Sequence, residues 1–119
     1  MTIRTISIAA ALAIHVIATA CTSQSAPPQQ QIDVVGLKSE LLAIGQAERQ
    51  YFVTHSNYGT LDELEQDKLL TGAANRRGYV FTVQVAGSQG FTATATPQDA
   101  DKQNWPTLSM DQTMQVSQR

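Results

Sequence analysis

The chain of 119 residues has little cysteine, few aromatic residues and almost no surplus charge of either sign. Its one cysteine excludes an internal disulfide, and it excludes a zinc site built on several cysteine ligands. A net charge of -2 at pH 7 offers no cationic surface to the phosphates of a nucleic acid, so DNA and RNA are not expected as partners. A chain of this length has room for one small domain.

The first twenty residues have the pattern of an export signal. Arg4 lies close to the N terminus, and residues 6–18 are apolar except for Ser7 and His15. The apolar run is shorter than the roughly 20 residues that a membrane-spanning helix needs. We therefore predict a signal peptide over residues 1–20, in preference to a permanent membrane helix or a buried core helix.

Cys21 follows Ala18-Thr19-Ala20, and this order resembles a bacterial lipoprotein processing site. The resemblance implies lipidation of Cys21 with a diacylglycerol and an amide-linked acyl chain such as palmitate. Because Thr22 rather than aspartate follows the cysteine, it also implies an outer-membrane lipoprotein. Ala18 and Ala20 also satisfy the ordinary signal-peptidase rule, which would give a soluble exported protein. Lipidation is favoured because an exported protein has little use for an exposed reactive thiol.

The segment after the cysteine has the composition of a spacer. Residues 22–33 include no aromatic residue, and they contain the pair Pro27-Pro28 and a run of glutamines. Such a segment cannot bury enough apolar surface to fold alone. We predict a lipid-attachment cysteine and flexible tether over residues 21–33 and a globular domain over residues 34–119.

The domain begins with a helical pattern. Its apolar residues recur at steps of three and four positions, namely Val34, Leu37, Leu41, Ile44, Tyr51 and Phe52. This spacing predicts an amphipathic helix that ends near Asn57. The small residues Ala43, Gly45 and Ala47 are predicted to let another element approach this part of the helix closely. Thr60 and Glu63 have the spacing of a capping box, which predicts a second, short helix.

The period changes to two from Gly78 onward. Residues 79–85 and 91–97 alternate between apolar and polar positions around a glycine-rich turn, which predicts a β-hairpin. A second short hairpin is predicted from residues 106–110 and 113–116. The fold class that follows is α+β, with one long N-terminal amphipathic helix packed on an antiparallel sheet of three or four strands.

The order of these segments resembles the globular half of type IV pilins and type II secretion pseudopilins. The matching stretches are 47–52, 58–64, 78–81, 91–97 and 109–112. The resemblance implies a non-enzymatic structural or interaction module, with a partner in a type II secretion or type IV pilus system. Pilins carry an unbroken apolar N-terminal helix, whereas residues 21–33 are polar here, so we expect a pilin-like head on a lipid anchor. The alternatives are a minor pilin or pseudopilin with a degenerate leader, and a periplasmic ligand-binding lipoprotein.

Residue types that carry chemistry are sparse in the predicted domain. No nucleophile motif or phosphate-binding glycine loop occurs, so we expect neither catalytic residues nor a cofactor. His55 is predicted to cap the C-terminal end of the long helix, where a cation suits the helix dipole. Trp105 is interpreted as a cover over the sheet or an exposed anchor, and Arg76-Arg77 as solvated loop charge.

Three carboxylates are the candidates for a metal site. Asp99, Asp101 and Asp111 offer the hard oxygen ligands that calcium prefers. The pseudopilin resemblance implies a calcium site in the corresponding region. The spacing of a glycine-containing calcium loop is missing, however, and Asp-x-Asp is common in solvated loops, so the solvated interpretation is favoured and no metal is expected.

Overall fold

The computed structural model describes residues 26–72 and 74–119, so the predicted signal peptide and Cys21 lie outside the described residues. The first helix, α1, spans Pro28–His55. Proline is tolerated in the first turn because the N–H that it lacks would have no partner there. The helix therefore occupies residues 28–33 of the predicted tether, and the predicted start at Val34 is wrong. Asp33, from that same stretch, is buried.

The end of α1 and the second helix are as predicted. Ser56 adopts a left-handed conformation with φ of 57°, and its N–H donates to the carbonyl of Phe52 at 2.8 Å. Helix α2 spans Leu61–Gln66. Its capping box is present: the Thr60 N–H donates to Glu63 Oε2 at 2.7 Å, and the Glu63 N–H donates to Thr60 Oγ1 at 3.3 Å.

The strands form one antiparallel sheet in which spatial order follows sequence order. They are β1 (Asn75–Arg76), β2 (Tyr79–Val85), β3 (Phe91–Pro97), β4 (Leu108–Asp111) and β5 (Val116–Gln118). A 3-10 helix, Ala100–Lys102, lies between β3 and β4. The α+β class with a long helix is confirmed, while the described sheet has five strands rather than three or four.

The predicted hairpin is formed by β2 and β3. Tyr79 pairs with Pro97 and Val85 pairs with Phe91, which matches the predicted ends of both strands. The second predicted hairpin is formed by β4 and β5, although β5 begins at Val116, where the predicted strand ends. The alternation of apolar and polar residues predicted the ends of this hairpin correctly, because seven residues in each strand are enough to define a period of two.

Helix α1 covers one face of the sheet and contacts β3 and β4. The small side chains of Ala93 and Ala95 lie on the buried face of β3. Gly45 is also buried, and a side chain there would meet Met110 and Met114. Gly45 and Ala47 thus permit the close approach predicted for this part of α1, but Ala43 is exposed. The buried apolar core is Leu37, Leu41, Ile44, Ala47, Leu64, Tyr79, Phe81, Phe91, Ala93, Ala95, Leu108 and Met110.

The turn between β1 and β2 depends on Gly78. Arg77 and Gly78 both have positive φ angles, 55° and 73°, as a two-residue type I′ turn requires. The carbonyl of Gly78 accepts from the N–H of Gln98 at 2.9 Å, and the side chain of Asp99 fills the space where a Cβ would lie. Position 78 therefore requires a residue that adopts a positive φ angle easily, and it has little room for a side chain.

Gly78→Ala is expected to lower the free energy of unfolding by more than the roughly 1–2 kcal/mol that a left-handed conformation costs a non-glycine residue. The excess arises because the new methyl group would press on the Lys102 side chain, which is held in place by its hydrogen bonds to Asp33 and to the Arg77 carbonyl, whereas the exposed Asp99 side chain can turn away. Gly87→Ala is the matched control, since Gly87 has φ of 60° but open space around its Cβ position. Urea denaturation of both variants measures the difference, and equal losses would contradict the steric part of the argument.

Candidate functional site

The outward face of α1 carries four large apolar side chains that the sheet does not cover. Ile32, Val35, Leu42 and Val53 are 60%, 68%, 39% and 83% exposed, and we call these four residues the outer seam. Val35, Leu42 and Val53 are separated by seven and eleven residues, close to two and three whole helical turns. They therefore lie on one line along the helix, with Ile32 one turn before Val35.

Two basic residues border the outer seam on one side. Lys38 lies four positions before Leu42, and Arg49 lies four positions before Val53. Both are exposed, and neither takes part in an ion pair among residues 26–72 and 74–119. They are eleven residues apart, which is about 16 Å along the helix axis.

A cluster around Asp33 fixes the N-terminal part of α1 against the sheet. The buried carboxylate accepts from Lys102 Nζ at 3.1 Å and from Gln29 Nε2 at 3.1 Å, and it lies 3.5 Å from Arg77 Nη1. Lys102 Nζ also donates to the Arg77 carbonyl at 2.6 Å and lies 4.9 Å from the centre of the Trp105 ring. Burial alone would raise the pKa of Asp33, but these hydrogen bonds and the two positive charges outweigh it and hold the pKa below 3.8.

A second arginine contact ties the β1–β2 turn region to the same helix. Arg76 Nη1 lies 3.3 Å from Glu40 Oε1, and the Arg76 guanidinium also donates to the carbonyls of Thr71 and Gly72. The interpretation of Arg76 and Arg77 as solvated loop charge is correct in part, because both side chains are exposed to solvent, but Arg76 lies in β1 and both guanidinium groups contact carboxylates of α1. Their contacts depend on the pairing of β1 with β2, which places them over α1.

The C-terminal half of α1 carries a buried carboxyl group. Glu48 is 0% exposed, and its Oε2 accepts from the N–H of Gly59 at 2.8 Å. Its Oε1 is buried without a hydrogen-bond partner in the described part of the chain. Burial raises the pKa of Glu48 to about 7; the Gly59 hydrogen bond opposes this rise and the negative charge of Glu63 adds to it. Glu48 thus links α1 to the loop that precedes α2.

Sequence reasoning missed both buried carboxylates, although a signal for them exists. Asp33 lies four residues before Leu37, and Glu48 lies four residues after Ile44. Both therefore fall on the helical stripe that contains the core residues of α1. The tether prediction covers Asp33, whereas the stripe places both carboxylates at the two ends of the buried face.

The three calcium candidates are not brought together. Asp111 pairs with Thr92 in the sheet, whereas Asp99 follows Pro97 at the other end of β3. Five residues of strand, about 16 Å, separate these two ends. The Asp111 carboxylate instead accepts from the Thr113 N–H at 2.8 Å, and Asp101 lies in the 3-10 helix. Residues 26–72 and 74–119 contain no cluster of three or more side chains suited to metal binding.

His55 lies at the C-terminal end of α1, where the sequence predicts it. Its ring stacks on Tyr51 at 3.9 Å, its Nδ1 lies 3.1 Å from the Tyr51 carbonyl, and its Nε2 lies 3.5 Å from Asp67 Oδ2. It therefore connects the end of α1 to the end of α2. Trp105 is half-buried and packs against the core, which fits the interpretation as a cover over part of the sheet.

Surface depressions on the described residues are open to solvent and lined by both polar and apolar groups. One of about 380 Å³ lies at the β2–β3 turn, where Gln84, Gln89 and Gln112 surround Gly90 and Phe91. Amide groups of this kind supply neutral hydrogen-bond donors and acceptors. No helix within the described ranges combines the length and the hydropathy needed to cross a membrane.

Comparison of the chain with protein-family models, with curated proteins and with solved structures finds no match.

Proposed function

We propose that this protein is a non-enzymatic, lipid-anchored interaction module of the cell envelope, with a pilin-like head that acts beside a type II secretion or type IV pilus system. The anchor is assigned to Cys21, and the location to the outer membrane. The observation that carries the proposal is the outer seam, which leaves apolar side chains exposed on a helix whose other face is fully used by the core. Ile32 and Val35 are one helical turn apart, and Leu42 and Val53 continue the same line along α1, so this face offers apolar contact points to a partner.

Two further features support the proposal. One long helix across an antiparallel sheet is the architecture that the pilin resemblance implies, and helix α1 starts at Pro28, seven residues beyond Cys21. Seven residues extend to at most about 25 Å, so a lipid on Cys21 would keep α1 close to the membrane surface. The face with the outer seam would then be presented to neighbouring envelope proteins.

The lipid anchor is tested on the full chain expressed in a bacterium. We expect the mature N-terminal peptide to begin at Cys21 and to carry the mass of a diacylglycerol plus one amide-linked acyl chain. Three acyl chains make anchoring effectively permanent, at about 0.8 kcal/mol per buried methylene, so the protein should partition into detergent. Cys21→Ser should leave a precursor or a soluble exported form.

Ser23→Ala is the control, because it lies beside the processing site and leaves the cysteine in place. It should be lipidated like the wild type. An unmodified Cys21 thiol on wild-type protein in the soluble periplasm would overturn the lipoprotein assignment.

A further inference from the structure

The charged groups around the outer seam have one sign. Lys38 and Arg49 lack ionic partners in the described ranges, whereas the acidic residues of α1 are all engaged elsewhere. Asp33 pairs with Lys102 and Arg77, and Glu40 pairs with Arg76. The side chain of Glu48 is buried on the opposite face of α1. In a chain with a net charge of -2, this exposed face is therefore locally basic.

The exposed apolar residues of this face lie within a narrow arc of α1. Ile32, Val35, Leu42 and Val53 fall close to one line along the helix, with the polar residues Ser39 and Gln46 between them and Arg49 at the edge. A narrow apolar stripe fits one facing helix. A helix that lies in a membrane interface has a wider apolar arc and a more strongly charged polar face.

We propose that the outer seam binds an amphipathic helix of a partner protein that carries carboxylates beside its own apolar stripe. This inference deepens the proposed function and rests on it. The partner's apolar residues pack on Val35, Leu42 and Val53, and two of its acidic residues, about 16 Å apart, pair with Lys38 and Arg49.

A second copy of the chain and a lipid surface fit this face less well. The same face of another copy presents the same two cations and no free carboxylate, and α2, which is acidic, has only six residues. Two basic residues contribute only about 1 kcal/mol each on an anionic membrane. Charge and spacing together favour the acidic partner helix.

The test uses synthetic helical peptides of four heptads, with leucine and isoleucine in the seam and glutamate at the flanking positions. The matched peptide has lysine at the flanks. Each is titrated by fluorescence anisotropy against the full chain held in nanodiscs of zwitterionic lipid. We expect the glutamate peptide to bind at least about tenfold more tightly than the lysine peptide, and added salt should reduce the difference.

Variants of the chain locate the binding site. Leu42→Gln should weaken binding of the glutamate peptide about tenfold, because it removes apolar contact area. The double variant Lys38→Glu with Arg49→Glu should reverse the preference between the two peptides. Thr82→Gln, on the exposed face of β2, should leave binding unchanged.

Several results would overturn the proposal. They are absence of binding by either peptide, equal binding of both, and an effect of Thr82→Gln as large as that of Leu42→Gln. Self-association of the Cys21→Ser chain through the outer seam would show that the seam binds a second copy. Binding of that chain to phosphatidylglycerol vesicles, if Leu42→Gln abolishes it, would show that the seam binds a lipid surface. The mass of the Cys21 peptide tests the anchor separately, so failure of the docking site and failure of the anchor are distinguishable.

Discussion

Phe81→Ala is expected to lower the free energy of unfolding by about 3 to 5 kcal/mol, the usual cost of removing a buried aromatic ring. Phe81 lies in the middle of β2, opposite Ala95 on β3, with its side chain in the core beneath the helix. Alanine is too small to fill the space, and its neighbour Ala95 cannot reach into it. Small domains have a total stability of about 5 to 15 kcal/mol, so the variant should be close to unfolding.

Urea denaturation followed by circular dichroism measures this loss. Thr82→Ala is the matched control, because Thr82 is the next residue of the same strand and its side chain faces solvent. The control should lose less than about 1 kcal/mol, the range that strand propensity spans. Equal midpoints for the two variants would show that Phe81 does not contribute to the core as described.

Glu48→Gln is expected to stabilise the protein above pH 7 by up to about 3 kcal/mol relative to the wild type. The wild-type carboxyl group has a pKa of about 7 when folded and 4.5 as its ordinary value, because burial penalises its charge. Glutamine has nearly the same shape and can still accept the Gly59 N–H through its amide oxygen. It carries no charge that the interior must accommodate, and its amide nitrogen would take the buried position of Oε1, which has no hydrogen-bond partner in the described residues, so the gain stays below this limit.

The sign of the pH dependence follows from the direction of the shift. Below pH 4.5 the Glu48 carboxyl group is protonated in both the folded and the unfolded chain. Between pH 4.5 and about 7 the folded chain binds this proton more tightly, so the wild-type free energy of unfolding falls as the pH rises. The fall ends above the folded pKa. The pKa of Asp33 is shifted in the opposite direction, so its contribution is lost only as the pH falls through its own lowered value.

Urea titrations at several pH values between 4.5 and 8 test this prediction on the wild type, on Glu48→Gln and on Asp62→Asn. Asp62 is the control, because its carboxyl group is exposed in the first turn of α2. The glutamine variant should lose the downward slope, and the Asp62 variant should keep it. A wild-type stability that does not change over this interval would contradict the argument.

Local patterns in the sequence predicted the elements that local physics determines. The β2–β3 hairpin follows from alternation over seven residues, and the capping box at Thr60 follows from two residue types three positions apart. The end of α1 near Asn57 likewise required only neighbouring residues. In these cases the interaction that forms the element lies within the segment that predicts it.

Features that depend on distant partners were not predicted. Strand β1 has only two residues, too few for a period, and it exists because β2 offers it a partner. Helix α1 begins before the amphipathic pattern does, and Asp33 in its second turn is buried by Lys102 and Arg77 from other elements. The outer seam could not be predicted for a different reason. Its apolar residues are separated by polar ones, and they can be recognised as exposed only after the core face of α1 is known.

The order of the strands in the sheet also determines which contacts join residues that are far apart in the sequence. Each described strand pairs with its neighbour in sequence, so the whole sheet is made of connections that close short loops. Helix α1, by contrast, packs on β3 and β4, which lie far along the chain from it. Since the entropy cost of closure rises with loop length, that cost is concentrated at one interface. The interface between α1 and the sheet is thus the contact that joins the locally closed hairpins into one packed unit.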